Sequence, residues 1–174
     1  MKPNLLIFTV PCGMAPLDEE VDLISMEDTR FLHCNIKTLN LLPNVIAYQR
    51  CREQDCFETV FHRGERVTEC AHSSVLMLQN GVLCAPPRDN LILPGITMKH
   101  LLELAQENGI PTREAPFTMD ELRAADEVII SSSGDLCIRA RTLDGRPVGG
   151  RDEKTLRILQ AAYTEKYLRE TKQI

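Results

Sequence analysis

Residues 75–85, VLMLQNGVLCA, contain the strongest local turn signal in the sequence. Asn80-Gly81 separates two apolar runs, and this pair is favoured in two-residue hairpin turns because both positions tolerate a positive φ. The segment therefore predicts a β-hairpin with strands Val75–Leu78 and Val82–Ala85.

Outward from this hairpin, the apolar spacing alternates between strand and helix patterns. Turn residues at Arg63-Gly64-Glu65 and Asp144-Gly145 predict two further hairpins. Capping residues mark helix starts, with Thr118 and Glu121 forming a capping box and Asp152 beginning a terminal helix that runs to about Glu170. The other predicted strands are Val21–Met26, Phe57–His62, Arg66–Thr68, a short one from Ile110, and Glu127–Ser131, and the other predicted helices are Leu39–Gln54 and Thr97–Asn108.

Residues 1–16 are predicted to be separate from the main domain. Asn4–Val10 is a continuous apolar run that is typical of a buried strand, and residues 11–16 form a linker rich in chain-breaking residues. The expected organisation is therefore a strand and linker over 1–16, followed by the main domain over 17–174.

The composition is that of one soluble globular domain, with 174 residues, 43% hydrophobic and 26% charged residues. The net charge of −5 gives no basic surface for nucleic acid, and no apolar stretch is long enough to cross a membrane. The seven cysteines include no CxxC pair, which favours a reducing cytoplasm, and neither cysteines nor histidines have metal-ligand spacing. We expect a cytoplasmic protein without a metal site, a nucleic-acid partner or a membrane partner.

Lys37 is a candidate nucleophile because it lies in an otherwise uncharged segment, Cys34–Leu42, at a strand-to-helix junction. A lysine amine becomes a nucleophile only where desolvation or neighbouring charge lowers its ordinary pKa of about 10.4. An ordinary surface lysine before a helix also fits this context.

Two segments could bind a phosphate. Ser131-Ser132-Ser133-Gly134 follows a predicted strand, and Gly95-Ile96-Thr97 begins a predicted helix, so both offer hydroxyl or backbone N–H donors. Ordinary turns or helix caps are the alternative.

Glu69 ends a predicted strand and precedes a run of mostly small residues, so its carboxylate could lie on a cavity wall and pair with a protonated ring nitrogen. A solvated glutamate on an edge strand is the alternative.

These residues resemble the ordered landmarks of fold-type-IV aminotransferases, and most of all those of D-amino-acid aminotransferases. The similar segments are Asn35–Leu42, Val67–Glu69 and Leu91–Thr97. The resemblance implies an α+β fold, the C-terminal domain of these enzymes, with a mixed sheet or pseudo-barrel flanked by helices. It also implies transamination of D-amino acids with a 2-oxo acid by means of pyridoxal 5'-phosphate, and a homodimer or another homo-oligomer.

The resemblance assigns roles residue by residue. Lys37 would be the Schiff-base lysine and the proton-transfer base, and Glu69 would hold the ring nitrogen protonated. Leu93 would pack on the ring, and Arg30 and Phe31 match a segment that approaches the active site. The remaining cofactor-binding residues, which would hold the phosphate, are Ile96, Thr97, Ser132 and Ser133.

The sequence departs from the family pattern in two places. After Glu69 the family has Gly, Ser and a closing Asn, whereas this chain has Cys70–Ser74, and the bulk of His72 is expected to alter packing near the cofactor. The second expected departure concerns the N-terminal domain of the family, of which this sequence would contain only the last strand and the linker, over 1–16. We therefore expect the isolated chain to be a poor transaminase.

Three alternatives stay open from the sequence. An aminodeoxychorismate lyase would use the same lysine and glutamate on the same fold. A branched-chain aminotransferase fits less well, because that family has small residues and Gly after the lysine. A non-catalytic truncated module is the alternative of another class.

Overall fold

In this computed structural model, which describes residues 4–10 and 16–171, nine strands and four helices follow one another along the chain. The strands are β1 (Glu20–Glu27), β2 (Glu58–Arg63), β3 (Arg66–Cys70), β4 (Ser74–Gln79), β5 (Val82–Ala85), β6 (Thr112–Glu114), β7 (Glu127–Ser131), β8 (Ile138–Leu143) and β9 (Arg146–Pro147). The helices are α1 (Leu42–Arg52), α2 (Ile96–Glu107), α3 (Met119–Arg123) and α4 (Glu153–Glu170).

The strands form one mixed sheet in the order β3-β2-β1-β8-β7-β4-β5-β6, and β9 pairs with β8. β1 runs parallel to β2 and β8, whereas β7 runs antiparallel to β8 and β4. The helices lie outside the sheet order, so the predicted α+β class is confirmed.

The sheet has to curl, because residues 71–73 join β3 to β4 although β2, β1, β8 and β7 lie between them in the sheet. That connection can span roughly 14 Å at most, whereas five strand spacings in a flat sheet amount to about 24 Å. The backbone N–H of Cys70 donates to the carbonyl of Ser73 at 2.9 Å across the gap. The predicted pseudo-barrel is thus confirmed as an open, curled sheet.

The two faces of the sheet bury different side chains, because successive residues of a strand point to opposite faces. In β4, Val75 and Met77 pack in a cluster with Phe117 and Leu122. Leu76 belongs to a second cluster, which contains the helix residues Met98, Leu101, Leu102, Leu156 and Leu159. α2 and α4 therefore cover one face, and the curled sheet covers the other face with its own strands and α3.

Turn and capping residues in the sequence correctly predicted the positions of most strands and helices. Asn80 and Gly81 adopt φ values of 51° and 74° between β4 and β5, as the hairpin requires. Thr118 and Glu121 form the predicted capping box, and Asp152 accepts a hydrogen bond from Thr155 N–H. No helix of the described residues is both long and apolar enough to cross a membrane.

One predicted helix start and one predicted strand were wrong, whereas the other predicted bounds lie within two residues of those in the structure. α1 begins at Leu42, not Leu39, because Pro43 is compatible only with the first turn of a helix. Asn4–Val10 is not a buried strand: no strand of the described chain pairs with it, and Leu5 and Phe8 are 85% and 75% exposed. Without ladder hydrogen bonds or a covering layer, an apolar run has nothing that stabilises it as a strand.

The domain organisation over 1–16 and 17–174 stays a prediction. Most of the predicted linker, residues 11–15, lies outside the described residues. Leu17 packs against both clusters of the core, and its carbonyl accepts a hydrogen bond from the Gln160 amide.

We expect Leu76→Ala to destabilise the chain by about 2–5 kcal/mol, because removing a buried leucine loses transfer free energy and leaves a cavity. Leu76 is 0% exposed, whereas Leu39, which serves as the control, is 96% exposed. Leu39→Ala is expected to change the free energy of unfolding by less than about 0.5 kcal/mol. Urea denaturation measures both values, and equal losses would contradict this packing.

Candidate active site

A cavity of about 570 Å³ lies where the ends of several elements meet. Its walls come from the end of β3, the start of β4, the end of β7, the N-terminus of α2 and the loop between β1 and α1. Every site residue predicted from the sequence lines this cavity, together with Arg30 and Phe31: Lys37, Glu69, Leu93, Ile96, Thr97, Ser132 and Ser133.

Lys37 lies in the loop between β1 and α1, and its side chain is exposed at the cavity. The loop is fixed near both ends. Arg63 Nη2 donates to the carbonyl of Arg30 at 2.9 Å, and Asn44 Nδ2, in α1, donates to the carbonyl of Ala71 at 2.7 Å. The amine is therefore carried by an anchored loop and is accessible to a molecule in the cavity.

Glu69 lies near the end of β3, where its side chain is buried. Its Oε1 accepts a hydrogen bond from Arg30 Nη1 at 2.5 Å, and its Oε2 accepts one from the backbone N–H of Leu93 at 3.0 Å. Burial raises the pKa of Glu69 to about 7, although the guanidinium of Arg30 opposes that rise. The alternative of a solvated glutamate is therefore wrong, although β3 does lie at an edge of the sheet.

A buried ion-pair network stands behind Glu69. Arg30 contacts both oxygens of the buried Asp28, with Nε and Nη2 at 2.9 and 3.0 Å. Arg63 Nε and Thr68 Oγ1 also donate to Asp28 Oδ2, each at 3.1 Å. Burial alone would raise the pKa of Asp28, but hydrogen bonds from Arg30 and Arg63 hold it below its usual value.

The N-terminus of α2 presents backbone donors to the cavity. Gly95 is the N-cap, so no side chain caps the helix, and the first turn contains no acidic residue. A Cβ on Gly95 would lie 2.9 Å from Ser74 Oγ, so a side chain at this position would require the Ser74 hydroxyl to move. The uncapped N–H groups of this turn suit an anion such as a phosphate.

Ser131–Ser133 line the same cavity as the α2 N-terminus. Ser132 Oγ donates to Asp135 Oδ2 at 2.7 Å and accepts the N–H groups of Gly134 and Asp135, so its hydroxyl already stabilises the turn. Ser131 Oγ is buried without a hydrogen-bond partner in the described part of the chain. An unpaired buried hydroxyl costs free energy, so a ligand that bonds to it would be stabilised.

His72, the bulky departure from the family pattern, lines the same cavity and is half exposed. Its ring packs edge-on against Tyr48 with centroids 4.6 Å apart, and its Nδ1 lies 3.8 Å from Glu58 Oε1. The nearby Glu58 carboxylate raises the pKa of His72. His72 therefore adds a polar, titratable group to the wall rather than filling the cavity.

Several contributors to the site were not identified from the sequence. Asp28 contacts Arg63 and Thr68, and Asn44 contacts Ala71, all far along the chain, and no spacing rule connects Asp28 or Asn44 to Glu69. Ser131 was noted as part of a serine tract, but only the structure shows that its hydroxyl is the unpaired one. Among the described residues, no cluster of three His, Cys, Asp or Glu side chains could hold a metal ion.

The arrangement combines an accessible amine, a buried carboxylate and two sets of anion donors around one cavity. Such a site can hold a flat anionic molecule that carries a carbonyl group, a basic ring nitrogen and a phosphate. It can then use the amine for covalent binding and proton transfer.

Residues 2–143 match the amino-transferase class IV family. The D-alanine aminotransferase of Listeria innocua is 50% identical over 124 residues, which are 71% of this chain and 43% of that protein. The D-alanine aminotransferase of Staphylococcus aureus strain MSSA476 is 40% identical over 153 residues, which are 87% of this chain and 54% of that protein.

A solved structure, a hypothetical aminotransferase from Mycobacterium tuberculosis in its PLP-bound form, shares the fold. Its TM-score is 0.74 at 23% identity, covering 83% of this chain and 55% of that chain. The chain spans about half the length of the curated relatives that it matches. The resemblance to fold-type-IV aminotransferases is confirmed, and the chain belongs to the amino-transferase class IV family.

Proposed function

We propose that this chain is the cofactor-binding half of a pyridoxal-phosphate-dependent aminotransferase that transfers amino groups between D-amino acids and 2-oxo acids. The observation that carries this proposal is that Lys37, Glu69, the α2 N-terminus and Ser131–Ser133 line one cavity. The relatives named D-alanine aminotransferase support the substrate class.

The residues present fit the cofactor. Pyridoxal phosphate needs an amine for its aldehyde, a carboxylate for its ring nitrogen and donors for its phosphate. Lys37 and Glu69 provide the first two. Ile96 and Thr97 provide backbone donors at the helix N-terminus, and the unpaired hydroxyl of Ser131 provides another.

When bound, pyridoxal phosphate supplies a ring that withdraws electrons from the α-carbon of the substrate. Lys37 supplies the amine that binds the cofactor and then moves the proton at the substrate α-carbon. Glu69 accepts the ring N–H and favours the protonated ring. Leu93, which is partly buried and lines the cavity, would pack against the ring. Ser132 and Ser133 complete the phosphate region, with Ser132 contributing mainly through the turn that it stabilises.

Efficient turnover also requires cations that hold the carboxylate of the substrate. The cationic or titratable basic side chains among the described cavity residues are Arg30, Lys37 and His72. Arg30 is engaged by Asp28 and Glu69. We therefore propose that the isolated chain is impaired, because substrate positioning contributes a large share of the rate. A cytoplasmic location and a homo-oligomeric assembly are further proposals, and both follow from family membership.

A single-turnover assay tests the function. The chain loaded with pyridoxal phosphate is mixed with D-alanine, and pyruvate is measured against L-alanine and against free cofactor without protein. We expect pyruvate from D-alanine in preference to L-alanine, at least ~100-fold more slowly than with the D-alanine aminotransferase of Listeria innocua, because the described cavity residues offer few cations to hold the substrate carboxylate.

Other outcomes of this assay contradict parts of the proposal. A preference for L-alanine would contradict the D-amino-acid class, and a rate equal to that of the Listeria innocua enzyme would contradict impairment. Pyruvate released from aminodeoxychorismate but not from D-alanine would assign the chain to the lyase instead.

A further inference from the structure

Among the described residues, Arg30 is the only one whose side chain donates a hydrogen bond to the Glu69 carboxylate. Oε1 accepts from Arg30 Nη1, and Oε2 accepts from the backbone N–H of Leu93. The side chains of both partners are largely shielded from solvent, with 6% of Arg30 and 8% of Glu69 exposed. A charge-assisted hydrogen bond in such surroundings is stronger than the same contact in water.

The guanidinium of Arg30 is itself held from several directions. Both carboxylate oxygens of Asp28 accept hydrogen bonds from it, and Nη2 of Arg30 also donates to the carbonyl of Leu91 at 3.3 Å. The guanidinium carbon lies 4.7 Å from the centroid of the Phe61 ring. With its plane fixed in this way, Arg30 can offer its remaining donor, Nη1, to Glu69 in one direction only.

We propose that Arg30 is a positioning residue that fixes the orientation of the two Glu69 carboxylate oxygens for the ring nitrogen of the cofactor and favours their ionised form. The role of this carboxylate towards the ring nitrogen rests on the proposed function. The effect of Arg30 on Glu69 is independent of that function, because it can be measured in the chain without cofactor.

The electrostatic surroundings support this role. The groups that face Glu69 are Arg30, the carboxylate of Asp28, and the thiols of Cys34 and Cys70. Arg30 favours the ionised form, and so, to a smaller extent, does the backbone N–H of Leu93, whereas burial, which is the largest effect, and Asp28 disfavour it. Because the pKa of Glu69 is about 7 with Arg30 present, loss of the guanidinium leaves the carboxyl group protonated at neutral pH. A neutral carboxyl group cannot stabilise a protonated ring nitrogen by charge.

Arg63 offers a matched control. Arg63 donates to Asp28 Oδ2, which also accepts from Arg30 Nη2, and to the carbonyls of Arg30 and Phe31. It makes no hydrogen bond to Glu69. Arg63→Gln therefore disturbs the network and the loop that leads to Lys37 without removing the donor to Glu69. A merely structural role of the network would make Arg30→Gln and Arg63→Gln behave alike.

The test is a pH titration of the Glu69 carboxyl carbon by ¹³C NMR in the full chain without cofactor. The Glu69 signal is assigned by its absence in Glu69→Gln. We expect Arg30→Gln to raise the titration midpoint by about 1–3 pH units, Arg30→Lys to restore most of the wild-type midpoint, and Arg63→Gln to shift it much less. An unchanged midpoint in Arg30→Gln, or equal shifts in Arg30→Gln and Arg63→Gln, would overturn the proposal.

A second measurement needs no variant, so it decides the question even if Arg30→Gln fails to fold. In wild-type chain, the Arg30 guanidinium protons are expected to exchange slowly with water while Glu69 is ionised, and faster once Glu69 is protonated. Exchange that is independent of the Glu69 titration would overturn the proposal.

Adding pyridoxal phosphate labelled with ¹⁵N at the ring separates this inference from the proposed function. We expect the wild-type chain to bind it with a protonated ring nitrogen and Arg30→Gln to shift that nitrogen towards the neutral form. Failure of the wild-type chain to bind it rejects cofactor binding, whereas the cofactor-free titration still decides the role of Arg30.

Discussion

Lys37→Ala is expected to abolish the visible absorption band that forms when pyridoxal phosphate is added to the chain. The variant retains Glu69 and the anion donors, so it can still bind the cofactor noncovalently, but it lacks the amine at the cavity. The band is expected to disappear completely, because Lys37 is the only lysine among the described residues that line the cavity. An absorption titration measures this effect.

Lys99→Ala is the control for this experiment. Lys99 is an exposed lysine of α2 that pairs with Glu103 and does not line the cavity, so its removal is expected to leave the band unchanged. A band that persists in Lys37→Ala, or that disappears in Lys99→Ala, would contradict the assignment of Lys37.

Glu69→Gln is expected to weaken the affinity for pyridoxal phosphate by about 10- to 100-fold, because a charge-assisted hydrogen bond contributes about 1.5–3 kcal/mol. Glutamine is nearly isosteric with glutamate, but it cannot balance the charge of a protonated ring. Because the pKa of Glu69 is about 7, the wild-type affinity is also expected to fall as the pH drops below that value and the carboxyl is protonated. The variant should lack this dependence between about pH 5 and 7.

Equilibrium binding followed by absorption and fluorescence measures both parts of this prediction. Glu65→Gln is the matched control, since Glu65 is an exposed residue of the turn between β2 and β3. Equal affinities for wild type and Glu69→Gln across this pH range would show that Glu69 does not face the ring nitrogen.

Elements specified by neighbouring residues were predictable from the sequence. The Asn80-Gly81 turn, the Thr118 capping box and the Asp152 cap depend on backbone conformations and hydrogen bonds within a few residues. The strand Glu127–Ser131 was predicted with the bounds that it has. An apolar run alone was not sufficient, since Asn4–Val10 has the composition of a strand but no partner strand among the described residues.

The order of the strands was not predictable from local signals, because pairing is decided by which faces can be buried together. β1 pairs with β8, more than one hundred residues away along the chain. This pairing joins the two halves of the open, curled sheet and helps to bring Lys37, Glu69 and Ser131 to one cavity. The resemblance to known enzymes therefore indicated the grouping of site residues that periodicity could not.

The buried ion-pair network of Asp28, Arg30 and Glu69 was the feature that the sequence predicted least. Asp28 and Arg30 are separated from Glu69 by about forty positions, and their contact depends on β1, β2 and β3 lying side by side. A sequence gives the charges of these residues but not their burial, and burial decides whether a charge shifts the pKa of its neighbour.

Reduction of the chain with borohydride in the presence of pyridoxal phosphate, followed by peptide mass mapping, tests the central claim most directly. All lysines of the wild-type chain compete for the label in this experiment. We predict that a near-stoichiometric label is found on the peptide that contains Lys37. A label spread over exposed lysines such as Lys99 and Lys154, with none enriched at Lys37, would contradict the account.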